Sequence, residues 1–402
     1  MQLLTALIVT AVYAAIAVGH IPWLRMNRAT IALAGAALLV AVGAIHEPEA
    51  YAALDMGTLL LLAAMMVVNV NLRLAGFFRF VGSRTLRLAH GPRLLLALVI
   101  VSSGLLSAIF LNDPVCLMLT PLVVDLTRRL GRDPIPYLVG LAAAANIGST
   151  ATITGNPQNM IIGQASAIPY LTFLVHLGPV AVVGLFICWG VIVRVYPGEF
   201  RGRLPEVTLP TPHTFTPLLS RTLWVVAGLM IAFLAGVPIV TAACGAAALL
   251  LVSRLNPAKL LDLDWDLLAF FAGLFVITGA LTATGLSAQL FERTAPLLRS
   301  GIPLFSVVVA VLSNVVSNVP AVLLLRPEIA SFANPQQTWL VLAMASTLAG
   351  NLTLLGSAAT LIVAEVARVH GARLEFAAYL RAGVPITILT LAFGVLWLSL
   401  VG

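Results

Sequence analysis

The stretch FLNDPVCLML, residues 110–119, sets Asn112, Asp113 and Pro114 inside an apolar run in which, from Leu94 to Val124, Asp113 is the one formal charge. An ionised carboxylate at membrane depth costs about 2.5–3.5 kcal/mol. Two readings explain its presence: a carrier of a proton or cation coupled to a substrate, or a carboxylate satisfied by the N–H groups of a turn. Three further apolar segments are interrupted in a similar way, at NIGSTATITGNPQN (146–159), at Asn318-Val319-Pro320 and at NLTLLGSAAT (351–360). They add Ser149, Thr150, Thr152, Asn156, Asn318, Asn351, Thr353 and Ser357 to Asn112 and Asp113 as candidate substrate contacts. A half-helix that begins at midplane aims its free N–H groups and positive dipole end at the centre, which suits an anion. Pro114 and Pro320 fit the first turn of such a helix, with Asn112 and Asn318 expected near its cap.

Non-helical backbone is tolerated at membrane depth only where protein buries it or a wet cavity receives it, so the four breaks are expected to converge. The composition puts them in a membrane. Apolar residues make up 60% of the chain and charged residues 9%, far from the usage of a soluble domain. Apolar runs of helical crossing length recur near 3–19, 28–45, 56–74, 94–126, 135–166, 171–195, 221–236, 238–254, 264–284, 302–330, 337–367 and 376–401, which is a helical rather than a barrel signal. The first run has no basic residues before it and is expected to span rather than to be a cleaved signal. Cys116, Cys188 and Cys244 lie in apolar segments without metal or disulfide spacing and read as packing residues. No cluster calls for a metal or another cofactor. The formal charge of +7 is scattered through short loops, a pattern of membrane orientation rather than of nucleic-acid binding.

The basic residues also fix a topology. If 94–126 and 302–330 each enter and leave on one side, 19 basic residues fall on the cytoplasmic face and only Arg293, Arg299 and Arg326 fall outside. Letting the Asp113 segment cross once would move Arg128, Arg129 and Arg132 outside and invert everything after them. Two complete crossings keep the parity, but a return arm from Val115 to Leu126 reaches only about 18 Å as a helix, too short for the bilayer. Both segments are therefore expected to be re-entrant hairpins, with the two termini outside.

The halves repeat. DMGTLLLLAAMMVVNVNLRLAG (55–76) matches DWDLLAFFAGLFVITGALTATG (264–285) at an offset of 264 − 55 = 209, LNDPVCLMLTP matches SNVPAVLLLRP at 318 − 112 = 206, and ATITGN matches LTLLGS at 353 − 152 = 201. Five crossings and one hairpin per half turn the second copy upside down, as in secondary transporters. The expected architecture is an all-α polytopic protein of two inverted repeats, 1–196 and 221–402, joined by a cytoplasmic Pro-rich connector, 197–220. One helix of each repeat would unwind at midplane. Arg326, where the first repeat has Thr120, has two readings: an anion contact, or a side chain that snorkels outward. Glu365 and the histidines, at helix ends or in loops, read as structural or solvated.

FLNDPVCLMLTPLV, ANIGSTATITGNPQNMIIG, DWDLLAFFAGLFVITGAL, VVSNVPAVLLLRP and NLTLLGSAATLIV together resemble the ion transporter superfamily of arsenite permeases, D-type sodium/proton antiporters, citrate permeases and divalent anion/sodium symporters. The resemblance runs from about residue 30 to 400. It implies an inverted-repeat transporter with a rigid scaffold, mobile hairpins, elevator-like motion and a homodimer. The symporter branch carries Ser-Asn-Thr at both tips, where this chain has Leu111-Asn112-Asp113 and Ser317-Asn318-Val319, which argues against dicarboxylate/sodium symport. Asp113 after Asn looks more like the arsenite permeases. The antiporters tend to have further acids at the second break, where this chain has Gly356, Ser357 and Ala358.

The function expected is therefore a proton-coupled secondary transporter of a small anion or a weak acid such as arsenite in the plasma (inner) membrane, with Asp113 carrying the coupling charge. Sodium/proton antiport is the alternative. An intramembrane enzyme would need a nucleophile with a base, or a metal cluster, at shared depth, and the sequence offers neither.

Overall fold

The computed structural model describes residues 1–18, 20–21, 26–205, 216–252 and 257–401. Arg25 and Arg254 of the topology argument, and 206–215 of the connector, lie outside the described residues.

The first half holds α1 (Gln2–Val18), a small antiparallel pair β1 (His20–Ile21) and β2 (Met26–Asn27), α2 (Arg28–Ala41), α3 (Glu47–Ala53), α4 (Met56–Leu74), α5 (Phe77–Leu88), α6 (Pro92–Ile109), α7 (Asn112–Arg129), α8 (Pro134–Ser149), α9 (Pro157–Ser166) and α10 (Tyr170–Val195). The second holds α11 (Thr216–Leu234), α12 (Ile239–Leu251), α13 (Pro257–Leu260), α14 (Trp265–Ala283), α15 (Leu286–Leu298), α16 (Ile302–Val316), α17 (Asn318–Leu325), a 3-10 turn (Arg326–Ser331), α18 (Pro335–Ala349), α19 (Ala358–Val369) and α20 (Phe376–Val401). Of these, α4, α6, α10, α11, α14 and α20 are long and apolar enough to cross a membrane. Bulky apolar side chains such as Leu3, Phe186, Trp224 and Ile231 are exposed, as a lipid-facing surface requires.

The helices start where side chains satisfy their free N–H groups. Asp55 caps α4 by accepting from Thr58 N at 3.0 Å, and Asp264 caps α14 by accepting from Leu267 N at 3.0 Å. Asn156 caps α9 through Asn159 N at 2.9 Å, and Ser357 caps α19 through Thr360 N at 3.2 Å. Packing pairs the halves crosswise: α2 lies on α14, α12 on α4, and α10 on α20. The last turns of α8 and α18 are buried on every side, as expected of helices apolar all round.

Three features differ from expectation. α5 and α15, each following a glycine of positive φ (Gly76 at 75°, Gly285 at 72°), are amphipathic helices that the crossing-length pattern passed over. α11 begins at Thr216, inside the stretch read as connector. α7 runs 18 residues, about 27 Å at 1.5 Å per residue, so length alone does not rule out a full crossing. Asn112 and Asn318 stand next to the cap, as expected, as the first residues of α7 and α17, but the caps themselves, Leu111 and Ser317, make no side-chain bond.

Candidate functional site

The breaks between α6 and α7, α8 and α9, α16 and α17, and α18 and α19 meet at the centre. Asn112 N donates to Gly155 O at 3.0 Å, and the Asn112 amide donates to Asn146 Oδ1 at 3.2 Å. With its NH2 end turned toward them, the Asn318 side chain donates to Gly356 O at 3.2 Å and Ser346 O at 3.1 Å. Each tip asparagine thus reaches the glycine carbonyl of the unwound segment in its own half.

The unwound segments cross-link the halves reciprocally. Asn146 Nδ2 donates to Asn351 Oδ1 at 2.9 Å and Ser357 Oγ at 3.0 Å. Thr347 Oγ1 accepts from Asn156 Nδ2 at 3.3 Å and from Gln158 Nε2 at 3.2 Å. Both pairs of equivalent positions keep one offset, 347 − 146 = 201 and 357 − 156 = 201. A buried polar layer of this kind is tolerable only when its groups are paired, and most are; Asn112 Oδ1 has no hydrogen-bond partner.

A cavity of about 330 Å³ opens at this layer, lined by Asn112, Asp113, Asn318 and Ser357 on the tip side and by Asn27, Arg28, Asp264, Asp266 and Phe270 on the α2 and α14 side. Asp113 is half-buried and lies within electrostatic reach of Asp264 and Arg28. Asn27 closes the rim by donating to Asp266 Oδ2 at 3.0 Å.

Of the ten sequence candidates, Asn112, Asp113, Asn318 and Ser357 line this cavity. The other six sit in the layer behind it. Ser149 and Thr150 bond Asn146 O at 2.9 and 3.1 Å, Thr152 bonds Ala108 O, Asn156 bonds Ser149 Oγ at 2.9 Å, Asn351 bonds Ala143 O at 3.3 Å, and Thr353 bonds Asn314 Oδ1 at 3.3 Å. Arg326 lies elsewhere, paired with Asp55 Oδ2 at 2.9 Å beside a different cavity. Sequence reasoning missed Arg28, Asp264 and Asp266, which begin helices and read as topology anchors or caps. It also passed over Asn146, the hub, although Asn146 opens the second interruption.

The sequence model of the citrate transporter family matches residues 6–349. The silicon efflux transporter LSI3 of Oryza sativa subsp. japonica is 32% identical over 93% of each chain, and a 46 kDa membrane protein of Mycobacterium leprae (strain TN) is 29% identical over 94% of each. A Dictyostelium discoideum protein that carries the transporter name arsB is 24% identical, over 95% of this chain and 88% of its own. The crystal structure of the Alcanivorax borkumensis YdaH transporter covers 99% of this chain and 96% of its own with a TM-score of 0.55 at 16% identity, a likeness of fold. Among the described residues six helices are long and apolar enough to cross a membrane, and with the family match and relatives named as transporters the molecule is a multi-pass membrane transporter. The match over most of its length, and the interrupted helices that first suggested the ion transporter superfamily, place the chain as a member of the citrate transporter family.

Proposed function

We propose that this is a secondary active transporter of a small anion or weak oxyacid, coupled to protons through Asp113, with substrate held between the tips at Asn112 and Asn318. The observation that carries this reading is the one cavity that Asn112, Asp113, Asn318 and Ser357 share from both halves of the chain. Asn112 Oδ1 is buried without a partner in a residue that lines the cavity, and a hydroxylated ligand seated against the tip would satisfy it. Ser149, Thr150, Thr152, Asn156, Asn351 and Thr353 hold the breaks in shape behind it. The charged side chains around the cavity are Arg28 against Asp113, Asp264 and Asp266. That balance repels a tricarboxylate and tolerates a neutral or singly charged oxyacid. The silicon transported by LSI3 and the name arsB fit this lining better than citrate does.

The reciprocal bonds Asn146–Ser357 and Thr347–Asn156, and the bias of 19 basic residues to one face, support two inverted repeats, 1–196 and 221–402 about the connector 197–220. The meeting of Asn112 and Asn318 with the broken α8–α9 and α18–α19 segments, and the eight-residue length of α17, support re-entrant hairpins at 94–126 and 302–330. Exchange of conformation between such repeats gives elevator-type alternating access, in a homodimer of the inner membrane with both termini outside. The cavity opens beside Arg28 and Asp264, on the arginine-rich face, so this conformation faces the cytoplasm.

Thermal-shift measurements against arsenite, silicic acid and citrate, followed by uptake into proteoliposomes under an imposed pH gradient, test the reading. Stabilisation by arsenite or silicic acid, with pH-driven uptake that Asp113→Asn loses, is expected. Uptake that is indifferent to Asp113→Asn would reject the coupling role. The three carboxylates around one guanidinium also suit a cation, so sodium/proton antiport is the second reading. Sodium-driven dequenching of an internal pH dye without any oxyacid would favour it.

A further inference from the structure

Asp113 lines two cavities, not one. The second, of about 260 Å³, lies between α4, α7 and the start of α14. It runs from Asp113 past Asn69, Val70 and Leu117 to the Arg73–Asp262 ion pair, whose side chains are 34% and 66% exposed. Its remaining walls are mostly apolar, where an oxyacid would leave its hydroxyl groups unpaired. Short files of water need far less: two to four polar partners each. Between the charged ends the polar groups of the wall are Asn69 and Asp264, the latter shared with the first cavity. Asn69 is 4% exposed, its Nδ2 is engaged with Met65 O, and its Oδ1 has no hydrogen-bond partner. Asp113 stands at one end of the file and the Arg73–Asp262 pair at the other.

We infer that this second cavity is a separate approach for the coupling proton, reaching Asp113 behind the helix tip while substrate uses the cavity between the tips. The inference rests on the proton-coupled reading above. Separation has a physical use: Asp113 exchanges its proton with solvent while the substrate cavity is filled, so loading of one does not have to wait for the other. Of the charged and titratable groups, Arg28 from α2, Asp264 before α14 and Cys116 on its own helix act directly on Asp113, while Asp266 in α14 lines the first cavity with it and Arg73 from α4 and Asp262 before α14 line the far end of the second. The other elements that line the two cavities, α5, α9, α17 and α19, present uncharged side chains such as Phe78, Gln158, Asn318 and Ile362.

The route is tested by plugging it after folding. Leu117 is 39% exposed and lines only the second cavity, so Leu117→Cys, in a Cys244→Ala background, is treated with benzyl methanethiosulfonate; the parent with leucine at this position, treated identically, is the control. The plug is expected to abolish pH-driven arsenite uptake and the accompanying proton movement, while the arsenite concentration for half-maximal thermal stabilisation is unchanged. Asn69→Leu is expected to slow the same flux without weakening arsenite stabilisation. Full proton movement in the plugged protein, when Asp113→Asn has none, overturns the separate route and leaves proton coupling standing. Flux unaffected by Asp113→Asn overturns both. Loss of arsenite stabilisation in the plugged protein also overturns the route, because it would make the second cavity part of the substrate site.

Discussion

A single amide, Asn146, satisfies Asn112, Asn351 and Ser357 at once, drawn from two of the other three breaks. Asn146→Ala removes all of these bonds in a fully buried layer, at about 1–3 kcal/mol for each group left unpartnered. We therefore expect a large drop in the thermal midpoint of the purified protein and loss of transport, and a midpoint within error of the parent would show that the layer is held some other way. Ser317 is a second stress point: at φ 79°, ψ 159° it occupies backbone space that suits glycine, at a cost of about 1–3 kcal/mol. Ser317→Gly should raise the midpoint, and a fall would place a needed contact on the serine side chain. Asp113 was legible in the sequence because a lone charge in an apolar run has no cheap explanation. Arg28 was not, because an arginine at the head of an apolar helix is what membrane orientation alone requires. Only the fold brings the N-terminus of α2 to the tip of α7.

At the scale of elements, the breaks were readable because proline, glycine and asparagine leave few alternatives, and Asn156 and Ser357 cap the resumed helices α9 and α19 as such chemistry predicts. The interhelical fit was not readable, since a glycine in a transmembrane pattern does not announce its neighbour. Gly148 on α8 faces Gly104 on α6 so closely that an added Cβ would lie 2.0 Å from Gly104 O. Close backbone approach through small residues is how helices associate in lipid, where apolar side chains gain nothing by leaving the bilayer. Gly148→Ala meets backbone, which cannot swing aside, so its cost should reach about 3 kcal/mol or more. The expected result is a collapsed thermal midpoint, whereas Gly228→Ala, with open space around its Cβ position, should be neutral. Equal midpoints for the two variants would mean that α6 and α8 are not packed this closely. Helices α5 and α15 escaped sequence reading for a different reason. They are too polar and short to register as spans, and their positions follow from the turns at Gly76 and Gly285 that end α4 and α14.

Across the whole molecule, the two faces differ in what seals them. On the face of α2 and α14, Asp264 caps its helix with one oxygen and lines the open cavity. On the other, the equivalent Asp55 caps α4 with one oxygen and uses the second to accept from Arg326 at 2.9 Å, tying α4 to the end of α17. Thr120, the counterpart of Arg326, cannot return the same tie, because it carries no charge and bonds Cys116 O within its own helix. Under the two-repeat reading proposed above, the Asp55–Arg326 pair has no counterpart at Asp264 and Thr120, and alternating access requires that it open before the far face can. A part-exposed pair is worth about 0.2–1 kcal/mol, so Arg326→Gln should shift the population toward the far-face-open state by a factor of about 1.4 to 5. A cysteine at Thr278, which lines the cavity beside Arg326, reports the shift as faster modification by an impermeant maleimide. The same variant separates the two readings of Arg326: an anion contact predicts a raised KM for a charged oxyacid but not for a neutral one, whereas a latch alone changes both equally. Unchanged maleimide rates together with unchanged KM values would leave the guanidinium with neither role.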